Sequence, residues 1–220
     1  SGKSTLSLAF FRFLEAETGS IEIDNVNIAD VPLETLRRQL TIIPQDSQLF
    51  KGTVRSNLDP FDSVDDHDMY VALHQCKLDN TVKSLDDEVE QGGANFSAGQ
   101  RQLLSLARGL LKLRNSRILI LDESTANLDS ESDAQIQHTI RNEVAPTVTI
   151  LTVAHRLKTI IDYDKVLVLD RGHVLEFDRP AVLLANHASA FYSLCERSGE
   201  LEDLVAMANA HARTSRNNRQ

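Results

Sequence analysis

The chain has 220 residues, of which 41% are apolar, and it carries a formal net charge of −9 at pH 7. An apolar fraction of this size can fill a core, and the length suits one domain, or one domain with an attached lobe. The acidic balance argues against non-specific nucleic-acid binding, which needs a basic surface. No apolar run approaches the ~20 residues of a membrane-spanning helix. The two cysteines, Cys76 and Cys195, show neither paired nor metal-ligand spacing, which favours a reducing, intracellular compartment.

The chain opens on Gly2, Lys3, Ser4 and Thr5, which lead into an apolar helical pattern. These residues match the end of the phosphate-loop motif G-x-x-x-x-G-K-S/T. In that motif backbone N–H groups hold phosphate oxygens, the lysine reaches the β- and γ-phosphates, and the hydroxyl binds Mg²⁺. Only Ser1 precedes Gly2, so the sequence predicts an N-terminally incomplete domain that lacks its first strand or strands, each ~5–6 residues long. The first helix is predicted over residues 4–16, with Gly19 as its stop.

Several short elements are predicted next. Residues 21–28 suggest a hairpin that turns at Asp24 and Asn25, residues 33–38 a short helix after Pro32, and residues 40–43 a strand closed by Pro44. Gln45 follows this strand directly. The carboxyl ends of strands are the ligand-binding edge of an open α/β sheet, which favours a functional role for Gln45. The alternative is a loop amide bonded to nearby backbone.

The composition changes after Gln45. Residues 47–112 show short helix patterns without strand patterns, which predicts a helical lobe inserted into an α/β core made of residues 1–46 and 113–195. Ser97 is predicted to cap a strong helix, leaving the N–H groups of residues 98–100 open to solvent or to an anion. On local grounds an ordinary capped helix is favoured, and anion binding is the alternative.

Residues 117–129 contain the most informative pattern of the chain. Four apolar residues at 118–121 run into two adjacent carboxylates, Asp122 and Glu123. The apolar run predicts a strand buried on both faces, with a piece of buried helix as the alternative. For the two acids that follow, the alternative to a ligand site is a solvated loop after the strand. Two neighbouring acids are costly unless a cation neutralises them, and Mg²⁺ held between Ser4 and Asp122 would do so. Glu123 could then polarise a water molecule.

Predicted helices and strands continue to alternate in the rest of the chain. A helix is predicted from residue 130 to Pro146, and a buried strand over residues 147–154 stops at His155, the same topological position as Gln45 and Glu123. A hairpin crosses residues 171 and 172, helices follow within residues 181–211, and a polar tail over residues 214–220 is expected to fray. Residues 196–220 are assigned to this last helix and its tail. The whole chain is predicted to be a single domain of residues 1–220 with an α/β fold of the P-loop NTPase type, in which helices flank a mostly parallel sheet.

Taken in order, these motifs resemble the nucleotide-binding domain of ATP-binding cassette (ABC) transporters, from Gly2 to about Ala190. Six segments carry the resemblance: the end of Walker A at residues 2–5, the Q-loop at Gln45, a signature at residues 96–100, Walker B at residues 118–122, the D-loop at residues 124–129 and the switch histidine at His155. The sequence of residues 44–60 is similar to that of the second nucleotide-binding domain in sub-family C, the multidrug-resistance-associated exporters. It most resembles the fungal vacuolar and plasma-membrane members.

The resemblance implies that the domain binds ATP with Mg²⁺ and hydrolyses ATP to drive export. It implies a head-to-tail dimer with a second ABC nucleotide-binding domain, on the same or another chain, and transmembrane domains as further partners. The location it implies is the cytoplasmic face of a plasma or vacuolar membrane, and it implies no nucleic-acid partner. The resemblance implies that the nucleotide is bound by Gly2, Lys3, Ser4, Thr5, Gln45 and Asp129, and that Mg²⁺ is held by Ser4, Gln45 and Asp122. It implies that Glu123 is the general base or orients the water, with Lys3 and His155 as the other catalytic residues. The signature residues Ser97, Ala98, Gly99 and Gln100 are implied to cover the nucleotide of the partner.

Two departures from the family pattern affect these expectations. The signature reads Phe-Ser-Ala-Gly-Gln where the family has Leu-Ser-Gly-Gly-Gln, so Ala98 adds one methyl group. The aromatic residue on which the family stacks adenine lies upstream of Walker A, so the chain by itself is expected to bind ATP poorly.

Other classes of protein give alternative readings. Chromosome-maintenance and DNA-repair ABC ATPases carry a long coiled coil between the Q-loop and the signature, and the segment between Gln45 and Phe96 is short and has no heptads. ABC ATPases that act on ribosomes are disfavoured by the net negative charge of the chain and by its sequence similarity to sub-family C. A non-catalytic regulatory ABC domain and an inactive fragment are the remaining alternatives.

Overall fold

The computed structural model describes residues 2–44, 46–122 and 129–217, with side chains as far as residue 212. The chain divides into two compact units. One unit is residues 8–153, and the other consists of the described residues of 1–7 and 154–220. Over the described ranges, no helix is both long enough and apolar enough to cross a membrane.

Short strands alternate with helices along the chain. The strands are β1 (Glu22–Ile23), β2 (Val26–Asn27), β3 (Leu40–Ile43), β4 (Gly52–Thr53), β5 (Glu88–Val89), β6 (Ile118–Asp122), β7 (Thr149–Val153), β8 (Val166–Asp170) and β9 (His173–Asp178). The helices are α1 (Lys3–Phe10), α2 (Leu33–Arg38), α3 (Val54–Leu58), α4 (Asp66–Gln75), α5 (Ala98–Leu113), α6 (Ser130–Glu143), α7 (Leu157–Ile160), α8 (Pro180–Ala185), α9 (Ala190–Arg197) and α10 (Leu201–Asn217).

The centre of the larger unit is a parallel sheet in the order β3–β6–β7. Strand β6 lies in the middle, with Leu121 opposite Ile43 on one side and opposite Thr152 on the other. Leu119 and Ile120 are almost fully buried, because apolar clusters cover both faces of this strand. The prediction of a doubly buried strand that ends in Asp122 is therefore confirmed, as is the α/β fold class.

Helices α3, α4 and α5 pack together in the stretch that the sequence predicts to be a helical lobe. Val54, Met69 and Ala107 have no exposed surface and belong to one apolar cluster with the inner face of α5. The expectation that this stretch has no strands is wrong, since β4 pairs antiparallel with β5. Each of these strands has only two residues, which is too short for the alternation of apolar and polar side chains that identifies a strand.

Helix α1 ends at Phe10, six residues before its predicted end. Arg12 takes a positive φ of 51°, which breaks the helix before Gly19 is reached. Its guanidinium Nη1 donates to the carbonyl oxygens of Ile28 at 3.1 Å and Val31 at 2.8 Å. The apolar helix pattern continues in the sequence, whereas in the structure the helix ends where Arg12 makes these contacts with a distant segment.

The hairpin of β1 and β2 is confirmed together with its turn. Asp24 and Asn25 have φ values of 52° and 63°, so both central residues lie in the left-handed region. Such turns match the twist of the flanking strands, and short polar side chains tolerate this backbone best after glycine.

The smaller unit contains the β8–β9 hairpin and helices α7 to α10. Its core includes Phe191, Cys195 and Leu204, each with at most 1% of its surface exposed. Helix α10 continues to Asn217, so the predicted fraying over residues 214–217 is wrong for the backbone. A helix can continue through polar residues because its backbone hydrogen bonds do not depend on apolar side chains. The last residues of the predicted tail lie outside the described ranges.

Candidate functional site

The first turn of α1 carries the phosphate-loop residues. Gly2 has a φ of +92°, in the left-handed region that glycine adopts without steric cost, and its carbonyl oxygen accepts the Leu6 N–H at 3.0 Å. Lys3 is half-buried, and Ser4 and Thr5 are exposed. The first N–H groups of a helix have no intrahelical acceptor, so this turn presents donors, a lysine and two hydroxyls together.

The carboxyl ends of the three parallel strands lie at one edge of the sheet. Asp122 is the last residue of β6 and is paired in register with Val153, the last residue of β7. It is half-buried, whereas the four residues before it are buried. Gln45 and Glu123 follow β3 and β6 in the sequence, and both lie outside the described residues, as do D-loop residues 124–128.

His155 lies two residues beyond the end of β7 and is exposed. It belongs to the same unit as Gly2, Lys3 and Ser4, whereas Asp122 belongs to the other unit. That these groups converge on one nucleotide stays a prediction from the sequence.

The signature forms the N-terminus of α5. Ser97 caps the helix, and its Oγ accepts the Gln100 N–H at 3.1 Å while Gln100 Oε1 accepts the Ser97 N–H at 2.9 Å. This reciprocal pair is a capping box, which fixes the first turn. The expectation that the N–H groups of residues 98–100 all stay open is therefore wrong for Gln100, because its own helix cap uses that N–H. The side-chain Nε2 of Gln100 also donates to Thr81 Oγ1 at 3.3 Å.

Arg101 is a residue that the sequence reasoning missed. Its Nη1 donates to the carbonyl oxygen of Phe96 at 2.6 Å and to that of Gly93 at 3.4 Å. Phe96 is buried, so the loop before the signature is held from both ends. In the sequence, the role of Arg101 is signalled only by its position directly after the capping residue Gln100. That position does not identify the carbonyl groups to which Arg101 donates.

Asp129 and the signature are brought together in the structure. Asp129 caps α6, and its two carboxylate oxygens accept from Ser132, one from the N–H and one from the hydroxyl, each at 2.8 Å. These two hydrogen bonds hold the pKa of Asp129 below its ordinary value. A Cβ built on Gly99 would lie 3.5 Å from Asp129 Oδ2, so the signature and Asp129 are close neighbours. The pattern Asp-x-x-Ser at a helix start is the signal by which Ser132 could have been found.

Comparisons with known proteins identify the family. The family model described as "ABC transporter" matches residues 1–126. The chain is 49% identical over 233 residues to the ATP-dependent bile acid permease of Saccharomyces cerevisiae, covering 94% of this chain and 14% of that protein. It is 53% identical over 203 residues to ATP-binding cassette sub-family C member 3 of Homo sapiens, covering 90% of this chain and 13% of that protein. The chain therefore spans only a small part of the length of these relatives.

A solved structure supports the same assignment. A bacterial Atm1-family ABC exporter, solved with ATP bound, superimposes with a TM-score of 0.81 and 34% identity, covering 90% of this chain and 35% of that chain. The family model alone matches more than half of the chain, and the relatives include a named member of sub-family C. The chain therefore belongs to the ABC transporter family, as an ATP-binding domain of the sub-family C type.

Proposed function

We propose that this chain is the ATP-binding and ATP-hydrolysing motor domain of an ABC exporter, and that its turnover powers transport across a membrane. The observation that carries the proposal is the position of Asp122, a half-buried carboxylate that ends the middle strand of a parallel sheet. An acid at this edge is suited to bind a cation that accompanies a phosphate ligand. Membership of the ABC transporter family supports ATP as that ligand.

The phosphate-binding role belongs to the start of α1. Lys3 is proposed to reach the β- and γ-phosphates, while Gly2, Ser4 and Thr5 offer backbone N–H and hydroxyl groups. The available donors fit Mg²⁺, which prefers oxygen ligands: the Ser4 hydroxyl, the Asp122 carboxylate and the Gln45 side-chain oxygen. Bound Mg²⁺ would neutralise charge that develops on the phosphate oxygens.

The hydrolytic role is proposed for Glu123, with His155 as a helper. Glu123 directly follows Asp122 in the sequence, so it would hold a water molecule in line with the γ-phosphate and accept its proton. His155 follows the neighbouring strand and would donate a hydrogen bond to a γ-phosphate oxygen. Lys3 stabilises the same charge from the loop side.

The partner proposed for this domain is a second ABC nucleotide-binding domain, arranged head to tail. Residues 97–100 at the N-terminus of α5, together with Asp129, would contact the nucleotide held by that partner. Ala98 is exposed in the first turn, so its methyl group lies at the surface that the partner would approach. Closure on ATP and opening after hydrolysis would be passed to transmembrane domains, with this domain on the cytoplasmic face of the membrane.

A chimera provides the test. The segment of the yeast bile acid permease that this chain matches is replaced by residues 1–220, so that the rest of a working transporter surrounds the domain. We expect the chimera to hydrolyse ATP and to take up bile acid into vesicles. Glu123→Gln should abolish phosphate release while photolabelling by azido-ATP persists, and Lys3→Ala should lose the labelling as well.

The matched control is Glu196→Gln, which neutralises an exposed glutamate outside every motif and should leave both activities unchanged. Normal hydrolysis by the Glu123→Gln chimera would remove Glu123 from the role of base. A wild-type chimera that assembles and binds ATP without hydrolysing it would instead identify a non-catalytic regulatory domain.

A further inference from the structure

Gly99 is a glycine for a reason other than backbone conformation. It is the second residue of α5, and its backbone does not lie in the left-handed region that favours glycine. The adjacent residue is Ala98, so this turn tolerates a methyl group one position earlier. The requirement at position 99 must therefore come from what the position touches.

That neighbour is Ser132 in the first turn of α6. A Cβ built on Gly99 would lie 2.6 Å from Ser132 Cβ, whereas non-bonded carbon atoms normally approach to ~3.5–4.0 Å. Ser132 Cβ is attached to the backbone, so rotating the hydroxyl cannot relieve the overlap. An alanine at position 99 would push the two helix starts apart by about 1 Å.

Ser132 also holds Asp129 through two hydrogen bonds, from its N–H to Oδ1 and from its hydroxyl to Oδ2. On the other side of the contact, the first turn of α5 is fixed by the capping box between Ser97 and Gln100. Ser132 is thus the point at which two rigid turns meet, one carrying the signature and the other beginning at Asp129.

We propose that Ser132 is a positioning residue that sets the signature against Asp129, so that the signature and Asp129 move together towards the partner domain. Its effect on turnover rests on the proposed function, since both motifs are assigned there to the nucleotide of the partner. The steric part does not rest on that function and can be measured without nucleotide.

The steric part is tested on the full chain with Gly99→Ala, Ser132→Gly, Ser132→Ala and the two double variants. Gly99→Ala alone should lower the Tm by roughly 2–12 °C, the range expected for overpacking in a chain of this size. Ser132→Gly removes the overlapping Cβ, so adding Gly99→Ala to it should cost nothing further. Ser132→Ala keeps the Cβ, so adding Gly99→Ala to it should still lower the Tm. Equal losses in both backgrounds would overturn the contact.

A second readout separates positioning from simple destabilisation. The Asp129 carboxyl carbon is followed by NMR titration, because its pKa is held low by the two Ser132 hydrogen bonds. Gly99→Ala should raise the pKa of Asp129 towards its ordinary value, and should leave it unchanged when Ser132 is glycine. An unchanged titration in the Gly99→Ala single variant would overturn the positioning role.

The consequence for turnover is measured in the permease chimera. A displacement of about 1 Å can cost ~100-fold in rate, so Gly99→Ala should lower kcat by that order and Gly99→Ala/Ser132→Gly should recover most of it. A wild-type chimera without ATPase activity would refute the proposed function. An active wild-type chimera whose kcat is insensitive to Gly99→Ala would refute the positioning role alone.

Discussion

Glu176 on β9 holds the N-terminus of α9, and its replacement tests how the smaller unit is stabilised. Its Oε1 accepts the Ala190 N–H at 2.8 Å, and its Oε2 accepts the Ser189 hydroxyl at 2.9 Å and the Phe191 N–H at 3.0 Å. Two of these donors are helix-start N–H groups, which have no acceptor within the helix. We predict that Glu176→Gln destabilises the chain although it changes the size of the side chain very little.

The magnitude follows from the acceptors that are lost. A carboxylate accepts on both oxygens, whereas glutamine has one acceptor and turns an NH₂ group towards a donor. A hydrogen bond to a charged group contributes about 1.5–3 kcal/mol, and a negative charge near a helix N-terminus adds about 0.3–1 kcal/mol. Because Glu176 is half-buried and water can replace part of these contacts, we expect a loss of about 2 kcal/mol in the free energy of unfolding.

The pH dependence of stability gives a second, independent test of the role of Glu176. Burial alone would raise the pKa of Glu176, but the donors of Phe191, Ala190 and Ser189 outweigh it, and the pKa lies below its ordinary value. A lowered folded-state pKa contributes stability that is complete above the unfolded-state pKa and is lost as the pH falls through the folded-state pKa. The difference between the wild type and Glu176→Gln should therefore be largest at neutral pH and shrink in acid.

Urea unfolding followed by circular dichroism, at pH 7 and then at decreasing pH, measures both effects. Glu196→Gln, at an exposed position of the same helix, is the matched control and should change stability by less than about 0.5 kcal/mol. The reasoning is refuted if Glu176→Gln unfolds at the wild-type urea concentration at pH 7. It is equally refuted if the difference between the two proteins persists unchanged below the pKa of the carboxyl group.

Two further predictions concern the larger unit. Asp59 is buried, and its carboxylate accepts from the N–H groups of Phe61, Ser63 and Val64. Asp59→Ala should therefore lower the free energy of unfolding by about 2–3 kcal/mol and speed amide hydrogen exchange over residues 61–64, measured by mass spectrometry. Unchanged exchange over these residues would contradict the prediction. Leu119 has no exposed surface in the middle strand, so Leu119→Ala should lose about 2–5 kcal/mol in urea unfolding because it leaves a cavity, and a loss below about 1 kcal/mol would contradict that packing.

The elements that the sequence predicted best are those with a strong local pattern. Strand β6 follows from an uninterrupted apolar run, and β3 and β7 follow from mixtures of apolar and β-branched residues. The prediction that β7 is buried is wrong, because its residues are half-buried or exposed. The start of α5 follows from Ser97 as the predicted N-cap. Each of these patterns is complete within a few residues, so no knowledge of distant contacts is needed.

Features that depend on distant contacts were not predictable in the same way. Helix α1 ends where Arg12 reaches the carbonyl groups of Ile28 and Val31, and no residue near Phe10 signals this end. The candidate site shows the same limit. The motif residues follow from their order in the chain, but the contact of Gly99 with Ser132 appears only once α5 and α6 are packed.

The two central positions of the signature differ in what lies next to them. Ala98 faces outward, whereas Gly99 is buried against the start of another helix. Packing within the domain should therefore tolerate other small side chains at position 98, and a deep mutational scan that selects for folded protein should retain them. At the second position the same scan should accept glycine alone, unless a compensating change appears at residue 132.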